Sequence, residues 1–296
     1  MEHVFLQDGR RRSARVVAAE HGGGNGPSPV AVLVLHGPYQ TGAKVRAACG
    51  RCFERCGTGG APPVVAYPDA YRGLWNDGRA GTRSPARTGG VDDVAFLERV
   101  CGRLRDGGAR YVAVVGYASG GHMAVRLAHE APSALDGLVL IGTGTGQPAP
   151  GAFRAFLAAD RCRPLPVVTV HGTADPVAPY EGGVTSLSGF RPRGHTLSAR
   201  ATAASYARRN GITAPPGVRR LPGRAGSGRT RVTVTWYEQG GRHSVTLYTV
   251  HGGGHVIPHA TRPARRLPDR TTRDSDAGDL VARLAAALAG GPSGPG

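Results

Sequence analysis

Strand-length runs of apolar residues alternate along this chain with longer segments whose apolar residues recur at helical spacing. The strand-length runs cover residues 30–35, 64–67, 111–117, 138–141, 167–170, 232–237 and 245–250. The helix-like segments cover residues 41–56, 91–105, 119–130, 198–210 and 276–288. Strands that are apolar throughout and alternate with helices are typical of a mostly parallel sheet covered on both faces. We therefore predict an α/β fold with a mostly parallel central sheet and helices on both faces.

The composition along the chain indicates one domain. No break in composition divides the 296 residues, so the predicted domain spans residues 1–290. Two segments rich in glycine, proline and arginine, at about 213–230 and 259–275, are predicted to be loop insertions. The Gly/Pro/Ser stretch at residues 291–296 predicts a disordered tail.

Residues 112–124, V-A-V-V-G-Y-A-S-G-G-H-M-A, join a predicted strand to a predicted helix through a glycine-rich turn. This is the setting of a nucleophile elbow, in which the string G-x-S-x-G presents a serine on a sharp strand-to-helix turn. In this chain Ala118 occupies the central position of the pentapeptide. Because a methyl group cannot attack a carbonyl, the turn is predicted without its nucleophile.

Polar residues that follow predicted strands are the other candidates for chemistry, because the site of an open α/β sheet lies at the carboxyl ends of its strands. These residues are His36, Asp69, His171, Asp175, His251 and His255. The chain order of elbow, Asp175 and His255 is the order of an α/β-hydrolase triad. His251 is the rival of His255, but the three glycines that precede His255 favour a loop carrying it inward over the sheet.

Several strings resemble the polyhydroxybutyrate depolymerase and feruloyl esterase group of α/β-hydrolases. They are L-H-G at 35–37 with Gln40, A-Y-P-D at 66–69, W-N-D-G-R at 75–79, V-D-D-V-A-F-L at 91–97, the elbow, H-G-T-A-D-P-V-A-P-Y at 171–180, N-G at 210–211 and Y-T-V-H-G-G-G-H at 248–255. The resemblance spans roughly residues 4–290. It implies the α/β-hydrolase fold and a serine carboxylic-ester hydrolase that forms an acyl-enzyme without a cofactor or metal, on a small-molecule or polymeric ester. It also implies that Asp175 and His255 are the acid and the base.

The chain departs from the family pattern at positions that bear on activity. Ala118 stands where the family has its serine, which predicts an inactive or strongly impaired enzyme. Pro38 follows His36-Gly37, where the family presents a backbone N–H to the oxyanion, and proline has no N–H. The family's half-cystine positions hold no cysteine, as at Ile212. Two explanations account for Ala118, an engineered substitution of serine or natural loss, and we favour natural loss.

Ser119 is the alternative nucleophile. If the elbow were shifted by one residue, Tyr117 would occupy a position where the tight turn needs a small residue. Neighbouring side chains in such a turn also point in different directions, so Ser119 is expected to face away from the site. We therefore predict a structural role for Ser119 at the helix start, with its backbone N–H serving as an oxyanion donor beside the position of Pro38.

Substrate contacts are predicted for four residues near these strings. Tyr39 and Gln40 follow the His36 turn, Trp75 begins the W-N-D-G-R string, and Tyr117 precedes Ala118. The alternative for Trp75 is that it packs on the core.

The charge and the cysteines change this picture little. The net charge of +17 comes from 37 basic residues of which only Lys44 is lysine, and they are spread along the chain. This indicates a solvated basic surface and no specific nucleic-acid partner.

The segment before Arg10 is too short for a secretory signal, and no run is long enough to span a membrane. Cys49, Cys52 and Cys56 lack a fourth ligand with zinc-like spacing, so we expect buried free thiols and a cytoplasmic protein.

Three functions are compatible with these residues. The first is an ester-hydrolase scaffold that has lost its nucleophile. The second is a non-catalytic protein that keeps the cleft to bind a ligand or partner, and the third, nucleic-acid binding through the arginine surface, lacks interleaved aromatic residues or a recognition helix. An esterase that uses Ser119 is a variant of the first.

Overall fold

A central mixed sheet organises the computed structural model. The structure describes residues 1–18, 28–56, 61–79, 84–145, 162–186, 192–260 and 270–290. The predicted tail at 291–296 and residues 261–269 of the second predicted insertion lie outside this part of the chain.

Among the described residues ten strands form the sheet, and their order across it follows. The order is β1 (Glu2–Gln7), β2 (Arg10–Val17), β4 (Val65–Pro68), β3 (Val30–Leu35), β5 (Tyr111–Tyr117), β6 (Gly137–Ile141), β7 (Val167–Gly172), β12 (Val245–His251), β11 (Arg231–Tyr237) and β10 (Gly217–Arg220). The strands from β4 to β12 in this order are parallel, and the pairs at both ends are antiparallel. Two short strands, β8 (Gly183–Ser186) and β9 (Pro192–Thr196), pair separately.

Helices cover both faces of the sheet. They are α1 (Gly42–Ala48), α2 (Pro85–Thr88), α3 (Asp93–Asp106), α4 (Ser119–Glu130), α5 (Ala199–Arg209) and α6 (Ala277–Gly290). One apolar core lies between the sheet and α3, α4 and α5, and a second lies between the opposite face and α1 and α6. Successive residues of β5 alternate between the two cores, with Val112 and Val114 in the first and Ala113 and Val115 in the second. This is why its sequence is apolar without interruption, and the predicted fold class is confirmed.

Three differences from the predicted elements concern the main sheet and the helix after β3. The predicted helix 41–56 is interrupted after α1, because Gly50 and Arg51 have φ of 59° and 58°. A Cβ on Gly50 would lie 2.1 Å from Nε2 of His259, so the tertiary contact requires glycine there. Residues 217–220, inside the first predicted insertion, form edge strand β10.

The third difference is the hairpin β1–β2, which the hydrophobic pattern did not predict. Its alternation is hidden because one inward position is arginine: the Arg12 guanidinium is buried and pairs with Asp93 of α3 at 2.6 Å. The guanidinium also lies 4.1 Å from the centre of the Phe96 ring.

The five cysteines are buried free thiols. Cys49, Cys52 and Cys56 belong to the core beneath α1 and α6, as expected from the sequence. Burial raises the pKa of the Cys56 thiol to about 12, which keeps it protonated at neutral pH.

Candidate active site

The turn between β5 and α4 has the geometry of a nucleophile elbow. Ala118 has φ of 51° and ψ of −117°, a conformation that costs an L-residue free energy. A Cβ on Gly116 would lie 2.4 Å from the Cα of Gly121, and one on Gly120 would lie 2.2 Å from the carbonyl oxygen of Leu35. The flanking glycines of G-x-A-x-G are therefore required by the close approach of the helix to the sheet.

Ala118 is anchored to the chain that follows β6. Its backbone N–H donates to the carbonyl of Ile141 at 3.0 Å, and its carbonyl accepts the hydroxyl of Thr143 at 2.6 Å. Only 7% of Ala118 is exposed. The turn is thus held from both sides by residues 141 and 143, with Gly142 between them.

Asp175 and His255 form a hydrogen-bonded pair although they lie 80 positions apart in the chain. The distance from Nδ1 of His255 to Oδ2 of Asp175 is 2.7 Å. The other carboxylate oxygen accepts the backbone N–H groups of Val177 and Ala178 at 2.8 and 2.9 Å. Burial opposes ionisation of Asp175, but hydrogen bonds from His171 and His255 outweigh it and hold the pKa of this carboxyl well below its ordinary value. An ionised Asp175 fixes the tautomer of His255, with the proton on Nδ1.

The imidazole of His255 lies beside the elbow. Its ring centre is 5.2 Å from that of Tyr117, and the Tyr117 hydroxyl donates to the His255 carbonyl at 2.9 Å. A Cβ on Gly142 would lie 3.1 Å from Nδ1 of His255. Since Tyr117 precedes Ala118 and Gly142 lies between its two anchors, the elbow and the Asp175–His255 pair are neighbours.

His251, the rival of His255, and His171 lie in different environments. His251 is exposed and its Nε2 lies 2.8 Å from the hydroxyl of Thr233. His171 is buried with Nε2 2.7 Å from the carbonyl of Ala178 and 3.5 Å from Asp175. His171 therefore stabilises the turn at Asp175 through its contacts with Ala178 and Asp175.

Ser119 begins α4 with its side chain inside the protein. Its Oγ has almost no accessible surface and forms no hydrogen bond with any residue in the described ranges. A substrate carbonyl could reach this oxygen only if the helix start moved. The N–H of Ser119 lies at the N-terminus of α4, where backbone donors and the helix dipole favour a negative charge.

The turn after β3 supplies few free donors. Pro38 has no N–H, the N–H of Gly37 donates to Oε1 of Gln40 at 3.1 Å, and that of Tyr39 donates to the carbonyl of Gly73 at 2.8 Å. Gln40 is thus engaged in holding the turn. We conclude that neither neighbour of Pro38 offers its backbone N–H to an oxyanion.

Replacing Pro38 with alanine is expected to improve catalysis in a chain that also carries Ala118→Ser, because it adds the missing backbone donor. One oxyanion donor is typically worth about a hundred- to a thousandfold in kcat. Initial rates with p-nitrophenyl acetate measure the gain, and Pro38→Ala alone is the matched control, for which no gain is expected. An unchanged rate in the double variant would contradict this role for Pro38.

The predicted substrate residues occupy different environments. Tyr39 is 56% exposed and Tyr117 is half-buried against His255. Trp75 is 1% exposed, and its indole N–H donates to the carbonyl of His36 at 2.9 Å. The Trp75 side chain therefore supports the His36 turn from within the core, and its contact with a substrate stays a prediction.

His36 completes this support. Its Nδ1 lies 2.7 Å from the carbonyl of Gly37, and its Nε2 accepts the N–H of Ala70 at 3.0 Å. Burial lowers the pKa of His36, so the ring is neutral and bonds at both nitrogens. The histidine of the L-H-G string thus has a structural role.

His122 is a neighbour of the site that the sequence did not single out. It lies in α4 four residues after Ala118 and is buried. Burial, Arg79 and His255 together lower its pKa to about 3, against the opposing effect of Asp77. Asp77 and Arg79 form a buried ion pair at 2.6 Å. The W-N-D-G-R string therefore places a buried ion pair near the neutral His122 of α4. The only signal in the sequence was the helical spacing of His122 from Ala118.

Two further observations concern only the described residues. They contain no group of three or more potential ligands that could hold a metal ion. None of their helices is both long enough and apolar enough to cross a membrane.

Comparisons with known proteins bear on the fold and on the relatives of this chain. No family model matches the chain. Putative esterase NocK from Nocardia uniformis subsp. tsuyamanensis is 31% identical over 182 residues, covering 58% of this chain and 51% of that protein, so the chain spans about half the length of this relative. Acetyl xylan esterase from Aspergillus awamori is 15% identical and matches 87% of this chain and 95% of its own with a TM-score of 0.56. The chain therefore has the α/β-hydrolase fold and resembles proteins described as esterases.

Proposed function

We propose that this chain is an esterase scaffold that keeps the acid and base of a catalytic triad but lacks the nucleophile, so that it binds a carboxylic ester without forming an acyl-enzyme. The observation that carries the proposal is the conformation of Ala118, with φ of 51° beside the Asp175–His255 pair. Such conformations cost about 1–3 kcal/mol and persist where the surrounding structure enforces them, commonly at functional sites. A methyl group cannot act as a nucleophile in this turn, whereas a serine at position 118 would supply a hydroxyl close to the Asp175–His255 pair.

The roles of the other groups follow from their positions. With a hydroxyl at position 118, Nε2 of His255 would accept its proton while Nδ1–H stays bonded to Asp175. The N–H of Ser119 would stabilise the oxyanion at the start of α4. In the chain as it stands, the same groups are proposed to bind an ester carbonyl without attacking it.

The scaffold is proposed to be of the polyhydroxybutyrate depolymerase or feruloyl esterase type. The supporting evidence is the pair of strings W-N-D-G-R at 75–79 and H-G-T-A-D-P-V-A-P-Y at 171–180, together with relatives named as esterases. The free, buried thiols support a reducing compartment.

A fluorophosphonate probe tests the vacated site directly, because it labels only an activated serine. We expect no labelling of the parent chain and stoichiometric labelling of Ala118→Ser at residue 118, mapped by peptide mass spectrometry. The matched control is Ala118→Ser with Ser119→Ala, which is expected to label equally well. Labelling of the parent at Ser119 would overturn the proposal in favour of a displaced nucleophile.

A further inference from the structure

A cavity of about 500 Å³ lies between α6 and the strands β10, β11 and β12 at one side of the sheet. It opens beside the first residues of β7 and β12, whereas His255 follows the last residues of β12. The cavity and the Asp175–His255 pair therefore lie at opposite ends of the strands β7 and β12. Its volume falls in the range of about 300–1,000 Å³ that is usual for small-molecule sites.

The floor of the cavity is apolar. Val168, Val234 and Trp236 line it from the sheet, and Leu280 and Leu284 line it from α6. Ala286 and Ala287 follow on the helix, and their small side chains leave the space open. This floor suits a hydrocarbon chain or ring.

A phenol hydroxyl lies in the wall. Tyr248 is only 7% exposed and lines the cavity, and its hydroxyl has no hydrogen-bond partner among the side chains and carbonyls of the described residues. The hydroxyl is therefore available to a ligand in the cavity.

Two guanidinium groups reach the cavity from different elements, Arg219 from β10 and Arg283 from α6. Burial raises the pKa of Tyr248, and the charges of these two arginines oppose that rise. Both arginines line the cavity, and neither forms an ion pair within the described ranges. Glu238 is the one carboxylate among the described lining residues, so the rim carries a net positive charge.

We propose that this cavity binds a medium-chain alkanoate. Its carboxylate accepts hydrogen bonds from the Tyr248 hydroxyl and from Arg219 and Arg283, and its alkyl chain lies over Val168, Val234 and Leu284. The proposal is independent of the proposed function, since it shares no residue with the site at Ala118.

Octanoate is the probe, and the fluorescence of Trp236 reports on its binding because the indole lines the cavity. We expect a saturable change in emission with octanoate, and at least tenfold weaker binding of 1-octanol, which has the same chain without the charge. Equal affinity for octanol, or no saturable change with octanoate, would overturn the proposal.

Variants locate the binding site. Arg283→Gln and Tyr248→Phe are each expected to weaken octanoate binding by about tenfold, with thermal unfolding by circular dichroism as the check that each variant is folded. Arg103→Gln is the matched control, because this arginine of α3 is 59% exposed and lies outside the cavity. Unchanged affinity in folded Arg283→Gln and Tyr248→Phe, or equal loss in Arg103→Gln, would refute the assigned site.

Discussion

Ala118→Ser is expected to raise the rate of hydrolysis of p-nitrophenyl acetate by about 10³- to 10⁴-fold over the parent chain. Loss of the nucleophile costs about a millionfold in kcat in subtilisin, and a missing oxyanion donor costs about a hundred- to a thousandfold. Pro38 leaves only the N–H of Ser119 as an evident oxyanion donor. The restored enzyme is therefore expected to recover about 10³- to 10⁴-fold of the millionfold loss. Steady-state kinetics on the two purified proteins measure the ratio.

The triad geometry sets the controls for this result. Adding Asp175→Asn to Ala118→Ser removes the acceptor that fixes the His255 tautomer, and a comparable change in a serine protease lowers kcat by about 10⁴-fold. Adding Ser119→Ala is expected to leave the rate unchanged, since its Oγ is buried. A folded Ala118→Ser protein that is no faster than the parent on short acyl and feruloyl esters would contradict the esterase scaffold.

Asp93→Ala is expected to lower the free energy of unfolding by about 3–5 kcal/mol, because it leaves the charge of Arg12 buried without its partner. The side chains of Arg12 and Asp93 are 2% and 0% exposed, so water cannot replace the lost contact. Asp93 also accepts the backbone N–H of Asn76 at 2.7 Å, which ties α3 to the W-N-D-G-R string. Urea denaturation of parent and variant measures the difference.

The double variant Arg12→Met with Asp93→Ala distinguishes two causes of the destabilisation. One is the unpaired charge of Arg12, and the other is the cavity left by the Asp93 side chain. Replacing both partners of a buried ion pair with apolar groups is often neutral, so most of the loss is expected to be recovered. The Asn76 N–H remains without its acceptor, and a small deficit persists. A double variant no more stable than Asp93→Ala would show that the charge of Arg12 is not the cause.

The active-site candidate could be predicted in part from the sequence. The elbow was recognised because its glycines stand at a fixed short spacing along the chain. The constraint on Gly116 is local, since a Cβ there would meet Gly121, whereas Gly120 is required by the carbonyl of Leu35 on the neighbouring strand β3. The order of Asp175 and His255 predicted their association, and the side chains are 2.7 Å apart, while their catalytic role stays a proposal. No sequence pattern predicted that the N–H groups of Gly37 and Tyr39 are hydrogen-bonded, because this depends on the positions of Gln40 and Gly73 in the folded chain.

The sequence by itself determined the α/β class, because strands buried on both faces must be apolar at every position. It also determined that position 118 has no hydroxyl. Only the tertiary structure decided that β2 pairs with β4 while the buried Arg12 bonds to Asp93 of α3, that the Ser119 oxygen is inaccessible, and that two arginines and Tyr248 line one cavity far from the elbow. These depend on contacts between residues distant in the chain, and such contacts are set by packing in three dimensions, which leaves no periodic signal along the sequence.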